Sequence, residues 1–240
     1  MKVDILGVSF HNVTLNEAVD MAAELMAAGG PHMVVTPNPE FVLRARKDEE
    51  FCRLLNGADI ALPDGIGVVY ASRILGRPLK GRTPGIEFAA LLCDRMAQTG
   101  GRLFLLGAKP GVAEKAAENL MLAHPGLVVC GTHDGYFQDA QAVAEEIRAA
   151  GADVVFVCLG APKQEKWMKE YGAACGASLM AGLGGSLDVF AGVVERAPEA
   201  FCKLGLEWFY RLMKEPARIK RMAKLPLILV YAVWARITGK

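Results

Sequence analysis

The stretch Val154-Val155-Phe156-Val157-Cys158-Leu159-Gly160-Ala161-Pro162-Lys163-Gln164-Glu165 decides the fold. Its apolar run shows no polar alternation, so it reads as a strand buried on both faces, the condition of a parallel sheet covered by helices on either side. Gly and Pro then break the run, and a helical pattern follows over 163–174. The same unit recurs outward in both directions. Apolar runs at Val3–Val8, Met33–Thr36, Ile60–Pro63, Leu103–Leu106, Leu127–Cys130 and Ser178–Leu183 read as further strands. Amphipathic stretches at 14–28, 40–55, 66–75, 85–99, 111–123 and 139–150 read as the helices between them. The pattern predicts an α/β domain, a doubly wound, mostly parallel, Rossmann-like sheet.

After Pro198 the strand signals stop and helical patterns rich in Lys, Arg, Trp, Phe and Tyr take over, so 1–195 reads as the α/β domain and 196–240 as a helical appendage. Net charge is only +1, yet it is unevenly placed. Residues 1–200 carry 18 Lys and Arg against 24 Asp and Glu, whereas 201–240 carry 9 against 2. A basic tail on an acidic body implies an anionic partner for the tail. The hydrophobic fraction of 52% excludes a disordered chain. Six cysteines at 52, 93, 130, 158, 175 and 202 show no CxxC spacing and no pattern of disulfides. With Met1–Val8 already reading as the first strand and no signal peptide, a reducing cytoplasm is the expected compartment.

Ligands of doubly wound sheets gather at the carboxyl ends of strands. Four polar clusters fall there: Thr36-Pro37-Asn38-Pro39-Glu40, Pro63-Asp64-Gly65, Gly160 to Glu165, and Gly182-Leu183-Gly184-Gly185-Ser186-Leu187-Asp188. Each has a structural alternative. Thr36 to Pro39 suits a turn that caps a helix, Asp64 suits an N-cap for the 66–75 helix, and Gly182 to Gly185 suits close backbone packing. Together they place one carboxylate with Thr36, Asn38 and Gln164 around one crevice, a set suited to a hydroxyl-rich substrate. Arg82, in Gly81-Arg82-Thr83-Pro84-Gly85, adds a cation there, although a lone Arg is usually a solvated surface charge. The glycine turn before Asp188 suits phosphate on a helix N-terminus. Tyr136, Gly160, Gly184 and Asp188 are the candidate nucleotide contacts. A G-x-G-x-x-G fingerprint is missing, which disfavours a nicotinamide oxidoreductase. No Asp-x-Asp occurs and no pair among His11, His32, His124 and His133 has ligand spacing, so neither a metal nor another cofactor is expected.

On a helix advancing about 100° per residue, Lys214, Arg218 and Arg221 lie within about 80° of Arg211, provided Pro216 does not split the segment. Such a stripe of cations suits phosphate. The apolar run Leu225–Ala235 is too short to span a bilayer, which takes about 20 residues. It reads either as a core helix or, with its basic flanks, as a segment lying on an anionic membrane surface. There each cation contributes about 1 kcal/mol, and each buried large apolar side chain about 1.5–3 kcal/mol.

Thr36-Pro37-Asn38-Pro39-Glu40, Pro63-Asp64-Gly65, Arg82-x-x-Gly85 and Gly160-Ala161-Pro162-Lys163-Gln164-Glu165, in this order, resemble the WecG/TagA/CpsF family of glycosyltransferases, over nearly the whole chain. The resemblance implies an inverting transfer of N-acetylmannosamine or a related hexose from a UDP-sugar to undecaprenyl-diphosphate-linked N-acetylglucosamine. It implies Asp64 as catalytic base, with Thr36, Asn38, Arg82 and Gln164 lining the sugar site. Arg211, Arg218 and Arg221 would meet the lipid diphosphate, without a metal, at the inner face of the cell membrane. A homo-oligomer fits the apolar tail. The rival classes are a membrane-tethered nucleotide-sugar-binding module without turnover and a nucleic-acid binder; the apolar run 225–235 fits the latter poorly, and no nucleic acid is expected as a partner.

Overall fold

The protein is described from a computed structural model, covering residues 1–214, 219 and 223–239. Six parallel strands form the central sheet: β3 (His32–Val35), β4 (Ile60–Ala61), β5 (Arg102–Gly107), β6 (Val128–His133), β7 (Val154–Cys158) and β8 (Leu179–Gly182). Their order across the sheet is β4-β3-β8-β7-β5-β6. The continuous apolar runs are explained by where alternate residues point. Met33 and Val35, Phe104 and Leu106, and Val155 and Val157 enter one core, while Val34, Leu103, Leu105, Val154 and Phe156 enter the other. The first core is closed by α2 (Pro39–Ala45), α3 (Glu49–Asn56), α4 (Ile66–Ile74), α7 (Ala140–Ala149) and α8 (Lys163–Cys175). The second is closed by α1 (Leu15–Ala28), α5 (Gly85–Thr99), α6 (Val112–Ala123) and α9 (Ser186–Phe190).

Two expectations are corrected. The run Val3–Val8 is a hairpin outside the main sheet: β1 (Lys2–Ile5) pairs antiparallel with β2 (Val8–His11). Leu6 and Gly7, both at positive φ (56° and 94°), make the two-residue turn between Ile5 and Val8. The helix expected over 40–55 is two helices, because the Asp48 carboxylate accepts the Phe51 N–H and restarts the chain as the N-cap of α3. Smaller shifts also occur, as where Leu127–Cys130 becomes Val128–His133.

Beyond residue 195 lie α10 (Glu199–Lys203), α11 (Glu207–Lys214) and α12 (Leu227–Thr238). α12 packs on α4 and α2, with Ile228 and Ala232 fully buried in the first core. Its opposite face leaves Leu227, Val230, Val233, Trp234 and Ile237 exposed. The apolar run is thus a core helix on one side and an uncovered apolar surface on the other. Among the described residues no helix is long and apolar enough to cross a membrane. Cys93, Cys158 and Cys175 are buried, which pushes each thiol up to about 12 and makes it a small hydrophobe.

Candidate active site

The chain leaves β3 toward the face carrying α2 and leaves the neighbouring β8 toward the face carrying α9. Adjacent strands whose helices depart on opposite faces open a crevice at their carboxyl ends. Thr36 sits at that point, buried, and its Oγ1 donates to the Gly182 carbonyl 2.9 Å away, closing the edge between β3 and β8. A Cβ on Gly85 would come within 3.0 Å of the Thr36 side chain, so α5 begins against it only because residue 85 is glycine.

The Thr36–Glu40 and Pro63–Gly65 loops are stitched together. Leu62 N–H donates to Val35 O at 2.9 Å and Asp64 N–H to Pro37 O at 3.1 Å. Gly65 (φ 95°) and Gly67 lie against Pro39, where a Cβ on Gly67 would come within 2.8 Å of the ring. The N-cap of α4 is Gly65, with no side-chain cap, so capping does not account for Asp64. Asn38 does cap α2: its Oδ1 accepts the N–H groups of Glu40 at 2.9 Å and Phe41 at 3.3 Å. The next loop is pinned by Thr83, buried, whose N–H donates to Pro63 O at 2.7 Å. Arg82, the residue before it, lines the same cavity as Asp64.

A cavity of about 400 Å³ opens where these loops meet the tail, a volume suited to a small-molecule site. Its lining includes the polar and charged residues Asn38, Glu40, Asp64, Arg82 and Glu207 together with Ile66, Tyr70, Trp208, Leu225 and Leu229. Arg82 is tied to the tail: Nη2 donates to Cys202 O at 2.7 Å and Nη1 lies 3.4 Å from Glu207 Oε2. Glu87, 4.0 Å from Arg82, also pairs with Arg196.

Of the residues singled out in the sequence, Asn38, Asp64 and Arg82 share this cavity. Thr36 and Gln164 are not among its lining residues. Gln164 is 1% exposed and both ends of its amide are used: Oε1 accepts the Gly184 N–H at 3.0 Å and Nε2 donates to Glu165 Oε1 at 2.7 Å. It thereby holds the glycine turn after β8. Gly182 is the packing glycine of that turn, since a Cβ there would meet Gln164 Nε2 and Met168 Cε at 2.9 Å. Glu165 is fully buried, its Oε2 has no partner among the described residues, and burial raises its carboxyl to about 7.

Tyr136, exposed, follows β6 on a turn that Asp134 fixes by accepting the Tyr136 N–H at 2.7 Å. Lys163 ties this turn to α8, its Nζ donating to Gly135 O at 2.9 Å and lying 4.6 Å from the Phe137 ring centre. Gly160 (φ 75°) follows β7, Gly184 (φ 56°) follows β8, and Asp188 stands in the first turn of α9. Arg211 belongs to α11, while Arg218 and Arg221 lie outside the described residues. Sequence reasoning missed Glu40, Tyr70, Glu207 and Trp208 as cavity residues; only Glu40 lay inside a motif already singled out. Among the described residues no three His, Cys, Asp or Glu side chains are grouped as a metal site.

The model of the Glycosyl transferase WecG/TagA/CpsF family matches residues 3–240. The chain belongs to that family. Among curated relatives, the N-acetylglucosaminyldiphosphoundecaprenol N-acetyl-beta-D-mannosaminyltransferase of Bacillus spizizenii is 41% identical over 193 residues, covering 80% of this chain and 75% of the relative. The enzyme of the same name from Bacillus subtilis is 40% identical over 194 residues, 81% and 76% of the two chains. That of Staphylococcus aureus is 38% identical over 232 residues, 95% of this chain and 91% of the relative. In this WecG/TagA/CpsF member, the resemblance drawn from the four motifs therefore holds over the α/β body and the tail alike.

Proposed function

We propose that this glycosyl transferase moves N-acetylmannosamine, or a related hexose, from a UDP-sugar to undecaprenyl-diphosphate-linked N-acetylglucosamine, with inversion, in the synthesis of a teichoic acid or similar cell-wall polysaccharide. The observation that carries it is the meeting of Asp64, Asn38 and Arg82 in the lining of one cavity of about 400 Å³. The names of the relatives supply the acceptor and the sugar.

Asp64 takes the proton from the acceptor hydroxyl as that oxygen attacks the anomeric carbon from the side opposite the diphosphate. A carboxylate positioned this way typically contributes 10²–10⁴-fold. The departing diphosphate gains negative charge, and the Arg82 guanidinium stabilises it, with the nucleotide lying beside the Gly184 turn. Thr36 and Gln164 act by holding the strand ends and that turn. Tyr136, Gly160 and Asp188 lie along the further strand ends, where the nucleotide is read. Arg211, Arg218 and Arg221 of the tail meet the lipid diphosphate, and the exposed face of α12 lies on the inner leaflet.

The test is nucleotide release from a panel of UDP-sugars, with and without a short-chain polyprenyl-diphosphate-GlcNAc acceptor. Acceptor-dependent release from one donor is expected. Asp64→Asn keeps donor binding and loses at least about 10²-fold in turnover; a variant with the parent rate removes Asp64 as the base.

A further inference from the structure

We infer that Glu165 is a positioning residue for the glycine turn after β8: it fixes the Gln164 amide, and that amide holds the Gly184 N–H. The inference rests on the proposed place of the nucleotide beside that turn and deepens it by naming what sets the turn's shape. Glu165 is fully buried and is not among the residues that line the cavity, so it acts there only through a neighbour. Its Oε1 accepts from Gln164 Nε2 at 2.7 Å, and its Oε2 is buried with no partner among the described residues. A buried carboxyl with an idle oxygen costs stability, whereas a methionine of similar length does not. Packing alone therefore does not call for a carboxyl at 165.

The link to the turn is a matter of donors and acceptors. Gln164 stands in the first turn of α8, where its backbone N–H donates to Gly160 O at 3.0 Å. Its side chain reaches the turn after β8, where Oε1 accepts the Gly184 N–H at 3.0 Å. A carboxyl accepts at Oε1 whether or not Oε2 holds a proton, so the amide turns its nitrogen to Glu165 and its oxygen to Gly184. Reversing the amide sets two oxygens against each other at one end and two N–H donors at the other. Without Glu165 the amide nitrogen is a buried donor that has lost its acceptor, which draws the side chain off the turn. The rest of the turn has other holds: Thr36 Oγ1 donates to Gly182 O at 2.9 Å, Leu183 N–H to Val157 O at 3.0 Å and Ser186 Oγ to Leu183 O at 2.8 Å. At Gly184 (φ 56°) the hold is the Gln164 oxygen. Among the described residues nothing lies within 4 Å of a Cβ placed on Gly184, and Asp188 Oδ2 lies 3.7 Å from the Cβ position of Gly185. The turn thus has room beside it for a ligand and depends on one amide for its shape.

The experiment uses the full chain and follows the Gly184 amide by hydrogen exchange and UDP binding by titration calorimetry. Glu165→Met is expected to speed exchange at Gly184 about tenfold, while exchange at Phe156, fully buried in β7, stays at the parent rate. The same variant should bind UDP about fivefold more weakly. Glu165→Gln, which keeps an oxygen for the Gln164 amide, should hold both values near the parent's. In a Gln164→Met background, adding Glu165→Met should change neither, since the amide through which it acts is gone. Parent-like exchange or parent-like UDP affinity in Glu165→Met overturns the inference. So does an effect that persists without Gln164 or that Glu165→Gln shares. One check needs no substitution: the parent should show a hydrogen-bond coupling by NMR between Gln164 Nε2 and the Glu165 carboxyl carbon. Its absence overturns the inference even where a variant does not fold. The exchange readout requires neither donor nor acceptor. A protein that shows the link to Gly184 but binds no UDP refutes the proposed donor alone. One that transfers sugar while Glu165→Met leaves Gly184 unchanged refutes the positioning role alone.

Discussion

Replacing Glu165 by Gln tests how its buried carboxyl is held. The side chain is fully buried, one oxygen accepts from Gln164 at 2.7 Å, and the other has no partner among the described residues. Burial raises the carboxyl from 4.5 to about 7, against smaller opposing effects from the Gln164 bond, its own backbone N–H and the Arg44 charge. The sign follows from proton binding. Below about 4.5 both folded and unfolded chains hold the proton and the group costs nothing. Between about 4.5 and about 7 the unfolded chain has released it while the folded chain retains it, so stability falls as pH rises, and it levels off above about 7. At about 1.4 kcal/mol per unit, the whole cost is about 3 kcal/mol, of which about 2.5 kcal/mol accrues between pH 5 and pH 8. Gln cannot ionise, so Glu165→Gln escapes this cost. Its own packing penalty does not vary with pH and cancels when the two pH values are compared. Urea unfolding of both proteins at pH 5 and pH 8 should show the variant gaining about 2.5 kcal/mol relative to the parent over that range. A difference that stays flat within about 0.5 kcal/mol refutes the reasoning, because the carboxylate is then satisfied in the fold.

Other consequences are equally direct. Gly107→Ala places a Cβ 2.4 Å from the Cys158 carbonyl at φ 132°, so it should cost more than about 3 kcal/mol or abolish folding, as read by a thermal melt. Thr36→Val keeps the shape but strands the Gly182 carbonyl, a loss of about 1–3 kcal/mol by urea unfolding; a neutral result removes the bond across β3 and β8 from the account. His11, buried, accepts the Ala61 N–H on Nδ1 at 3.0 Å, and burial lowers its pKa below 6.5. The unfolded chain therefore takes up a proton that the folded one refuses, and stability is lost as pH falls below about 6.5. His11→Gln, whose amide oxygen can accept the same N–H, should lessen that loss between pH 7 and pH 5; an unchanged slope assigns it to other groups.

The sheet was legible in the sequence because a strand buried on both faces needs an unbroken apolar run, and such runs at Val154–Cys158 and Arg102–Gly107 leave little room for another reading. The hairpin was not, since its turn uses Leu6 at positive φ, a conformation that Leu does not advertise. The break before α3 was written in Asp48, but the apolar spacing runs straight across it. At the site, residue type announced chemistry without naming the partner. Asn38, Asp64 and Arg82 do share one cavity. Thr36 and Gln164 stood out for the same reason, a polar side chain at a strand end, yet they bond the chain to itself. The Thr36 partner is a carbonyl 146 residues away, which no local pattern encodes. A crevice at a topological switch needs polar groups of both kinds, some facing the ligand and some closing the gap that the diverging strands leave. Adjacent residues can divide these tasks. Gln164 holds the Gly184 turn, and Glu165 behind it fixes which end of the amide faces that turn, because an amide that accepts there must donate on its other side. On that logic Glu165 shapes the glycine turn without lining the cavity itself, so substitutions at 165 should reach the reaction through Gln164.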